Sequence, residues 1–250
     1  MNKKLLTVLI VVFALIFLIS GGLLVNYFVE SKTQAQVYDD LAAQREQVLE
    51  TITSEEPVKG RLPEFDALYA ENPDIAGWMK IEGTRLDYPV MYKPDSKDFY
   101  LRKDFYGKKA THGCLYIQED CSLAPPSDQL VIYGHNMRDG SMFACLKGYL
   151  KKNFYEEHPV IQFSTLTERA EYEVFAVFAT SVTAGEGFPF YRYLDLNDDY
   201  TFRSFVDTCK QLSKYDTGIE PQSGDQFITL VTCENTLENG RLVVVARKCE

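Results

Sequence analysis

The feature of the sequence that most restricts its fold is an uncharged apolar segment from Leu5 to Val25. As an α-helix rising about 1.5 Å per residue, this segment covers about 30 Å, the thickness of a bilayer's hydrocarbon core. Lys3 and Lys4 precede it, and basic flanks favour the cytoplasmic side of a membrane. We therefore expect residues 1–28 to form a short cytoplasmic stub and a single-pass anchor in the cell membrane, with the rest of the chain outside the cell.

A cleaved signal peptide is the alternative interpretation of this segment. Signal peptides have apolar cores of about 7 to 15 residues, followed directly by a small-residue cleavage site. Here the bulky stretch 26–30, Asn-Tyr-Phe-Val-Glu, follows the apolar run and makes a poor cleavage site. The sequence thus favours the uncleaved anchor.

The composition of the remaining chain indicates a folded, β-rich domain. Apolar residues make up 46% and charged residues 25%, a balance that can bury a core. Aromatic residues reach 13%, and aromatic rings fit the half-buried surface of a sheet. A net charge of −10 would repel a polyanion, so we expect no nucleic-acid partner.

Helices are expected between the anchor and the domain. Apolar residues recur at helical spacing from about 34 to 52, which predicts an amphipathic helix that either packs on the domain or stands as a stalk. Residues 29–60 are accordingly a helical stalk or linker, with residues 53–61 resembling a linker most. A shorter helix is predicted over 62–70, because Asn72-Pro73 disfavours its continuation.

From Gly77 onward the apolar period becomes that of β-strands. About eight short β-branched or aromatic runs are bounded by Gly, Pro, Asn or Asp, which suggests a closed or nearly closed barrel. The runs are 78–81, 87–92, 113–117, 129–133, 160–163, 172–180, 226–233 and 241–248. Two helices, over 141–151 and 201–214, are predicted to interrupt them and cover the barrel.

The last two runs contain the most informative chemistry. Cys233 ends one run and Arg241 begins the next, with seven polar-loop residues between them. If the two strands pair antiparallel, the thiol lies near the guanidinium. A free thiol has a pKa near 8.5, so a neighbouring cation or base is needed to assist it as a nucleophile. Arg247 shares the face of Arg241 but lies a strand length away, which favours Arg241.

The base must be one of the three histidines, His112, His135 or His158. His135 follows an apolar strand and precedes a helix, where a side chain would emerge at a barrel rim. His158 lies in a turn between two acids and a proline, and His112 is expected to be a surface or loop residue. His135 is therefore the preferred candidate.

The remaining cysteines favour neither a metal nor a disulfide. Cys114 and Cys121 are seven residues apart, which does not match the paired spacing of a structural zinc site. Cys209 lies on the apolar face of a predicted helix and is interpreted as a core residue. We expect no metal and no cofactor.

These residues resemble a known family. Thr-Leu-Val-Thr-Cys at 229–233, Arg241 at the start of the following strand and Gly-His-Asn at 134–136 are similar to the signature of sortases, the cysteine transpeptidases of the Gram-positive cell wall. The stretch 134–143 and the helix at 201–214 resemble class B most. The resemblance covers roughly residues 60 to 250. It implies a mostly β fold: a closed eight-stranded sortase-type barrel over residues 61–250, with N-terminal helices and a helix inserted between late strands.

The resemblance also implies roles for the candidate residues. Cys233 would be the nucleophile, His135 the acid and base, and Arg241 the stabiliser of the substrate carbonyl. Tyr133 and Glu234 occupy positions that often contact the sorting peptide in the family. The implied partners are surface proteins with a C-terminal sorting motif, cleaved after Thr through a thioacyl-enzyme, and an acceptor amine on the peptidoglycan precursor. The aromatic segment 182–196 is a candidate wall of the peptide groove.

Two other functions stay open on the sequence alone. A cysteine peptidase that hydrolyses such peptides without transfer would use the same residues, and only the acceptor would distinguish it. A non-enzymatic, membrane-tethered β-barrel adhesin would instead have Cys233 buried and inert.

Overall fold

The computed structural model describes residues 3–51, 60–234 and 236–249. Helix α1 covers Lys3–Thr51 without a break, since no proline occurs along it. Its first half is apolar and exposed, and within the described ranges α1 is the helix long and apolar enough to cross a membrane. The predicted anchor and the predicted amphipathic helix are thus two parts of one element.

The second half of α1 packs on the domain. Tyr38 and Leu41 are only 3% and 2% exposed. The Tyr38 ring meets Tyr88 edge-to-face at 5.3 Å, and its hydroxyl donates a hydrogen bond of 2.5 Å to the carbonyl of Gly113. The sequence allowed this helix either to pack on the domain or to stand as a stalk, and in the structure it packs on the domain.

Two short helical turns connect α1 to the barrel. Residues 53–59, most of the linker predicted over 53–61, lie outside the described residues. A 3₁₀ turn at Pro63–Phe65 continues into α2, Asp66–Glu71, in place of the single helix predicted over 62–70. Asn72 ends α2 in an extended conformation, as its position before Pro73 requires.

The rest of the described chain is built around a closed eight-stranded barrel, as the sequence predicted. Its strands are β1 (Ile75–Lys80), β2 (Asp87–Met91), β3 (Leu115–Ile117), β4 (Gln129–Tyr133), β5 (Val160–Thr165), β6 (Arg169–Ser181), β7 (Phe227–Cys233) and β8 (Gly240–Lys248). Their order around the barrel is β1-β2-β3-β4-β7-β8-β6-β5. Pairs β2–β3 and β4–β7 are parallel, and the others are antiparallel.

The neighbours of β7 determine which residues share one end of the barrel. On one side, β7 pairs in parallel with β4, with Tyr133 opposite Val231. On the other side, it pairs antiparallel with β8, with Cys233 opposite Arg241. The last residues of β4 and β7 and the first residues of β8 therefore lie at the same rim of the barrel.

The two helices inserted between strands differ in detail from the prediction. The segment expected as a helix over 141–151 is a 3₁₀ helix at Phe143–Leu150, followed by α3, Lys152–Glu157. The break occurs because Lys151 is extended and the Phe154 ring packs on Gly148, where a Cβ would lie 2.6 Å from the ring.

Helix α4, Asp199–Leu212, begins two residues before the predicted 201–214 helix. The Asp198 side chain caps it by accepting the Thr201 amide at 2.9 Å. Its buried face contains Phe202, Phe205, Val206 and Cys209, which agrees with the core role expected for Cys209.

The packing of α1 on the barrel predicts a stability difference between two leucines. Leu41→Ala removes a side chain that is 2% exposed and should lower the free energy of unfolding by about 2–4 kcal/mol. Leu212→Ala, at a position 39% exposed, should cost less than about 1 kcal/mol. Denaturant unfolding of the full chain in detergent measures both. Equal losses for the two variants would contradict the docked position of α1.

Candidate active site

A groove of about 420 Å³ opens at the rim where β4, β7 and β8 meet. The groove is lined by all three predicted residues: the nucleophile Cys233, the base His135 and the cation Arg241. The other lining residues come mainly from β3, from the turn after it and from the segments 97–101 and 182–191. They are Lys97, Asp98, Leu101, Tyr116, Gln118, Glu119, Asp120, Tyr133, Gly134, Val182, Tyr191, Val231 and Thr232.

Cys233 is the last residue of β7, and it is exposed. It lies directly opposite Arg241 in the antiparallel ladder, where paired residues project from the same face of a sheet about 4.5–5.5 Å apart. The other described cysteines are buried or partly buried free thiols. Burial raises the pKa of the Cys114 thiol to about 12 and that of Cys121 to about 11, so both are protonated and unreactive.

Arg241 is half-buried and is held by the backbone of its own turn. Its Nη1 donates hydrogen bonds to the carbonyls of Gly240 at 2.9 Å and Asn239 at 3.4 Å. Arg247, the rival cation, lies at the far end of β8 and is bound to the carboxylates of Glu173 and Asp225. The structure thus brings Arg241, and not Arg247, to the cysteine.

His135 leaves the end of β4 two residues after Tyr133. Its Nε2 lies 2.8 Å from the carbonyl oxygen of Leu101, which can only accept a hydrogen bond. Nε2 therefore carries a proton, and Nδ1 is the ring nitrogen that can take and return another. Gly134 allows this approach, because a Cβ there would lie 2.5 Å from the Leu115 side chain and 2.6 Å from the Phe143 ring.

The environment of His135 favours the neutral ring. Partial burial lowers its pKa below the ordinary value of 6.5, and the nearby charges of Arg102 and His112 act in the same direction. The hydrogen bond to Leu101 opposes this shift without cancelling it. Near neutral pH, the imidazole is mostly uncharged and available as a base.

Two hydrogen bonds connect the residues on either side of His135 to the end of β7. Asn136 Nδ2 donates to the carbonyl of Cys233 at 3.1 Å, and Thr232 Oγ1 donates to the carbonyl of Gly134 at 2.7 Å. Sequence reasoning identified neither contact, and it also missed the carbonyl of Leu101. Asn136 could have been suspected from its place beside His135, whereas a backbone carbonyl carries no residue-type signal.

The two predicted peptide-contact residues are placed differently. Tyr133 lines the groove, and its hydroxyl donates to Oε1 of Gln118 at 3.1 Å. The carboxylate of Glu234 turns towards the following loop, where it accepts the amide of Thr236 at 2.8 Å and its hydroxyl at 2.6 Å. Glu234 is not one of the residues that line the groove.

The aromatic segment 182–196 is divided between groove and core. Val182 and Tyr191 line the groove, as predicted for this segment. Phe188 and Phe190 are instead buried, with the Phe188 ring 6.1 Å from that of Phe178. Their large apolar rings are more stable against the barrel than in an open groove.

The other two histidines lie away from the groove. His158 packs its ring on Phe154 at 4.4 Å. His112, expected at the surface, lies in a loop but is only 2% exposed. That expectation was wrong because Asp139, distant in sequence, provides a carboxylate 2.6 Å from its Nε2.

The comparisons with known proteins agree with this geometry. The family model described as the sortase domain matches residues 79–249. The chain belongs to the sortase family. It is 30% identical over 247 residues to sortase B of Staphylococcus aureus, covering 98% of this chain and 97% of that protein.

Solved structures place this sortase in class B. It superimposes on a Staphylococcus aureus sortase B–substrate complex with a TM-score of 0.78 and 28% identity, covering 89% of this chain and 99% of the other. A structure of sortase B complexed with triglycine gives a TM-score of 0.76 and 28% identity, covering 88% and 99%. This sortase is therefore a cysteine transpeptidase of the class that attaches proteins to the cell wall.

The partial burial of His135 predicts the pH at which activity is lost in acid. Below the imidazole pKa, the ring is already protonated and cannot take the proton of Cys233, so kcat/KM should fall with a midpoint below 6.5. The pH profile of peptide cleavage measures this midpoint. A midpoint at or above 6.5 would show that desolvation does not control the ring.

Proposed function

We propose that this sortase cleaves a C-terminal sorting motif after threonine and transfers the upstream protein to an amine of the peptidoglycan precursor. Residues 1–28 hold it in the membrane with the N-terminus in the cytoplasm, and residues 61–250 form the catalytic domain outside the cell. Residues 29–60 connect the two. The observation that carries the proposal is the convergence of Cys233, His135 and Arg241 on one groove.

The first half of the reaction breaks the peptide bond. The neutral imidazole of His135 takes the thiol proton of Cys233, and the resulting thiolate attacks the threonine carbonyl, forming the C–S bond of a tetrahedral intermediate. When the C–N bond breaks, protonated His135 gives its proton to the leaving amine. The upstream protein is then held as a thioester on Cys233, and the neutral imidazole is ready to act as a base. The exposure of Cys233 supports this sequence, and so does the hydrogen bond that keeps a proton on Nε2 of His135, because it leaves Nδ1 to take and give the transferred proton.

Arg241 stabilises the negative charge that develops on the carbonyl oxygen. Because its side chain shares a sheet face with Cys233, its guanidinium can donate hydrogen bonds beside the forming C–S bond. The backbone carbonyls of Gly240 and Asn239 hold the guanidinium there. A cation kept in place before the reaction stabilises charge more effectively than water, which would have to reorient.

The second half transfers the acyl group to an amine. His135, now neutral, removes a proton as the amine attacks the thioester, and the C–S bond breaks to regenerate Cys233. The solved sortase B bound to triglycine supports a peptide amine as the acceptor. The Staphylococcus aureus complex with substrate supports binding of the sorting peptide along the groove, where Tyr133 is a contact residue. Glu234, directly after the nucleophile, is a second proposed contact.

Of the two other functions left open by the sequence, hydrolysis without transfer uses the same groove. It is the second candidate because the exposed Cys233 would leave a thioester accessible to water. The adhesin interpretation required a buried and inert Cys233, and it fails on the same observation.

Product analysis separates transfer from hydrolysis. The full chain in detergent is incubated with a library of threonine-containing peptides, with and without triglycine, and the products are identified by mass spectrometry. We expect a triglycine-linked product, cleavage after Thr, and loss of both in Cys233→Ala. Free acid as the sole product at saturating triglycine would identify a hydrolase instead.

Two arginines on one face of β8 provide a matched test of the oxyanion role. Arg241→Gln should lower kcat by about 10²–10³, the usual effect of removing one oxyanion donor. Arg247→Gln breaks the pairs with Glu173 and Asp225 at the far end of the strand and should leave kcat unchanged while lowering stability. Similar kcat values for the two variants would contradict the role of Arg241.

A further inference from the structure

A loop of nine residues joins the candidate base to a partly buried cluster of polar side chains outside the groove, centred on His112 and Asp139. His135 begins the loop, and Asp139 follows four residues later. The loop is closed on itself, since the Phe143 amide donates to the carbonyl of His135 at 2.9 Å and Asn136 forms a β-bridge with Met142. A displacement at Asp139 is therefore transmitted to the backbone of His135.

The carboxylate of Asp139 is held from both of its oxygens. Oδ1 accepts the amide of Ser141 at 3.0 Å and its hydroxyl at 2.6 Å. Oδ2 accepts Nε2 of His112 at 2.6 Å and the hydroxyl of Ser31 at 2.7 Å. Partial burial acts to raise the pKa of Asp139, but the hydrogen bonds from Ser141, His112 and Ser31 outweigh it and hold the pKa well below its usual range.

The Leu101 carbonyl, which accepts the hydrogen bond of the His135 ring, packs on the residue next to His112. Gly113 packs so closely on the Leu101 carbonyl that a Cβ there would lie 2.3 Å from the oxygen. That oxygen is the acceptor for Nε2 of His135. The carbonyl that orients the imidazole thus contacts Gly113, the residue after His112, and the loop that bears the imidazole contacts His112 through Asp139.

The juxtamembrane segment, residues 30–38 of α1, binds this cluster from outside. Ser31 donates to Asp139, and the Glu30 carboxylate accepts both the amide and the hydroxyl of Thr111, at 2.8 and 2.7 Å. Tyr38 donates to the carbonyl of Gly113 at 2.5 Å. These contacts begin a few residues beyond the apolar run that ends at Val25, so the cluster lies between the membrane anchor and the active site.

Neither His112 nor Asp139 lines the groove, so neither contacts the substrate peptide there. We propose that the His112–Asp139 pair is a positioning device that holds the His135 ring in place relative to Cys233. The juxtamembrane segment holds the pair through Ser31. This inference rests on the proposed role of His135 as acid and base. It gives the start of the extracellular part of α1 a direct influence on the chemistry.

Substitutions in the full chain in detergent test the device. Asp139→Asn should lower kcat by about tenfold or more with KM changed less than about twofold, because a misplacement of about 1 Å can cost up to a hundredfold in rate. His112→Ala should do the same, whereas His112→Gln, which places an amide donor near the position of Nε2, should recover most of the rate. Ser31→Ala, a mild surface change, should lower kcat in the same direction.

The pKa of the His135 imidazole distinguishes a positioning role of the pair from a purely structural one, because loss of stability alone would leave this pKa unchanged. With histidine labelled with carbon-13 at Cε1, the three histidines of the chain give three NMR signals, assigned through single substitutions. In Asp139→Asn, the loosened ring gains water, so its pKa should rise towards 6.5. If Asp139→Asn does not fold, Ser31→Ala decides by the same two measurements.

Glu64→Gln is the matched control. Glu64 is a carboxylate held by a side-chain partner, as Asp139 is, and it is more deeply buried: it is 1% exposed and lies 2.7 Å from Arg169. Arg169 starts β6, eleven residues before Thr180, which pairs with Arg241, so the control lies about 36 Å from the site along the strand. Glu64→Gln should lower stability while leaving kcat and the His135 pKa unchanged.

The outcomes separate this inference from the proposed function. If the Asp139 and Ser31 variants behave like Glu64→Gln, with kcat and the His135 pKa unmoved, the positioning device is overturned while the transpeptidase mechanism stands. If His135→Ala keeps full activity, the proposed function itself fails, whatever the Asp139 variants do.

Discussion

The chemistry of this protein depends on the backbone ladder that places β7 between β4 and β8. Because β4 runs parallel to β7 and β8 runs antiparallel to it, the end of β4, the end of β7 and the start of β8 meet at one rim. Side chains alternate between faces along a strand, so a slip of one residue would turn Arg241 away from Cys233. The barrel closes on itself and leaves no free edge in this sheet, which keeps the register constant.

The two reacting groups at this rim have opposite environments. The sulfur of Cys233 is exposed, whereas the imidazole of His135 is partly buried against the Leu101 carbonyl. Burial lowers the pKa of the ring, so near neutral pH the ring is mostly neutral and can take the proton of Cys233 before the sulfur attacks.

Helix α1 contains the apolar run, and it also contacts the His112–Asp139 pair. The helix is long and apolar enough to cross a membrane, and its residues 30–38 also hydrogen-bond to the loops behind the active site. The same continuous element thus passes from the apolar run to the support of His135. Under the proposed positioning role of the His112–Asp139 pair, the placement of α1 and the order of the active site are coupled.

The parts of the fold that were predictable from the sequence are those with a local signal. The strand runs alternate and are bounded by turn residues, and the seven residues between Cys233 and Arg241 suit an antiparallel pair. Close contacts between distant segments were not predictable. His112 was misplaced because its partner Asp139 lies 27 residues away, and the acceptor for His135 is a backbone carbonyl that any residue could provide. The single helix predicted over 141–151 failed because the decisive contact, Phe154 on Gly148, is a packing contact rather than a pattern.

The most direct test of the account is to trap the acyl-enzyme and map it. The full chain is mixed with a cleavable peptide in the absence of an acceptor amine, quenched in acid, and digested for tandem mass spectrometry. The account predicts a thioester between the threonine carbonyl and Cys233, which disappears when triglycine is added. Cleavage that proceeds with no such adduct, or an adduct on Cys145 or Cys249 instead, would contradict it.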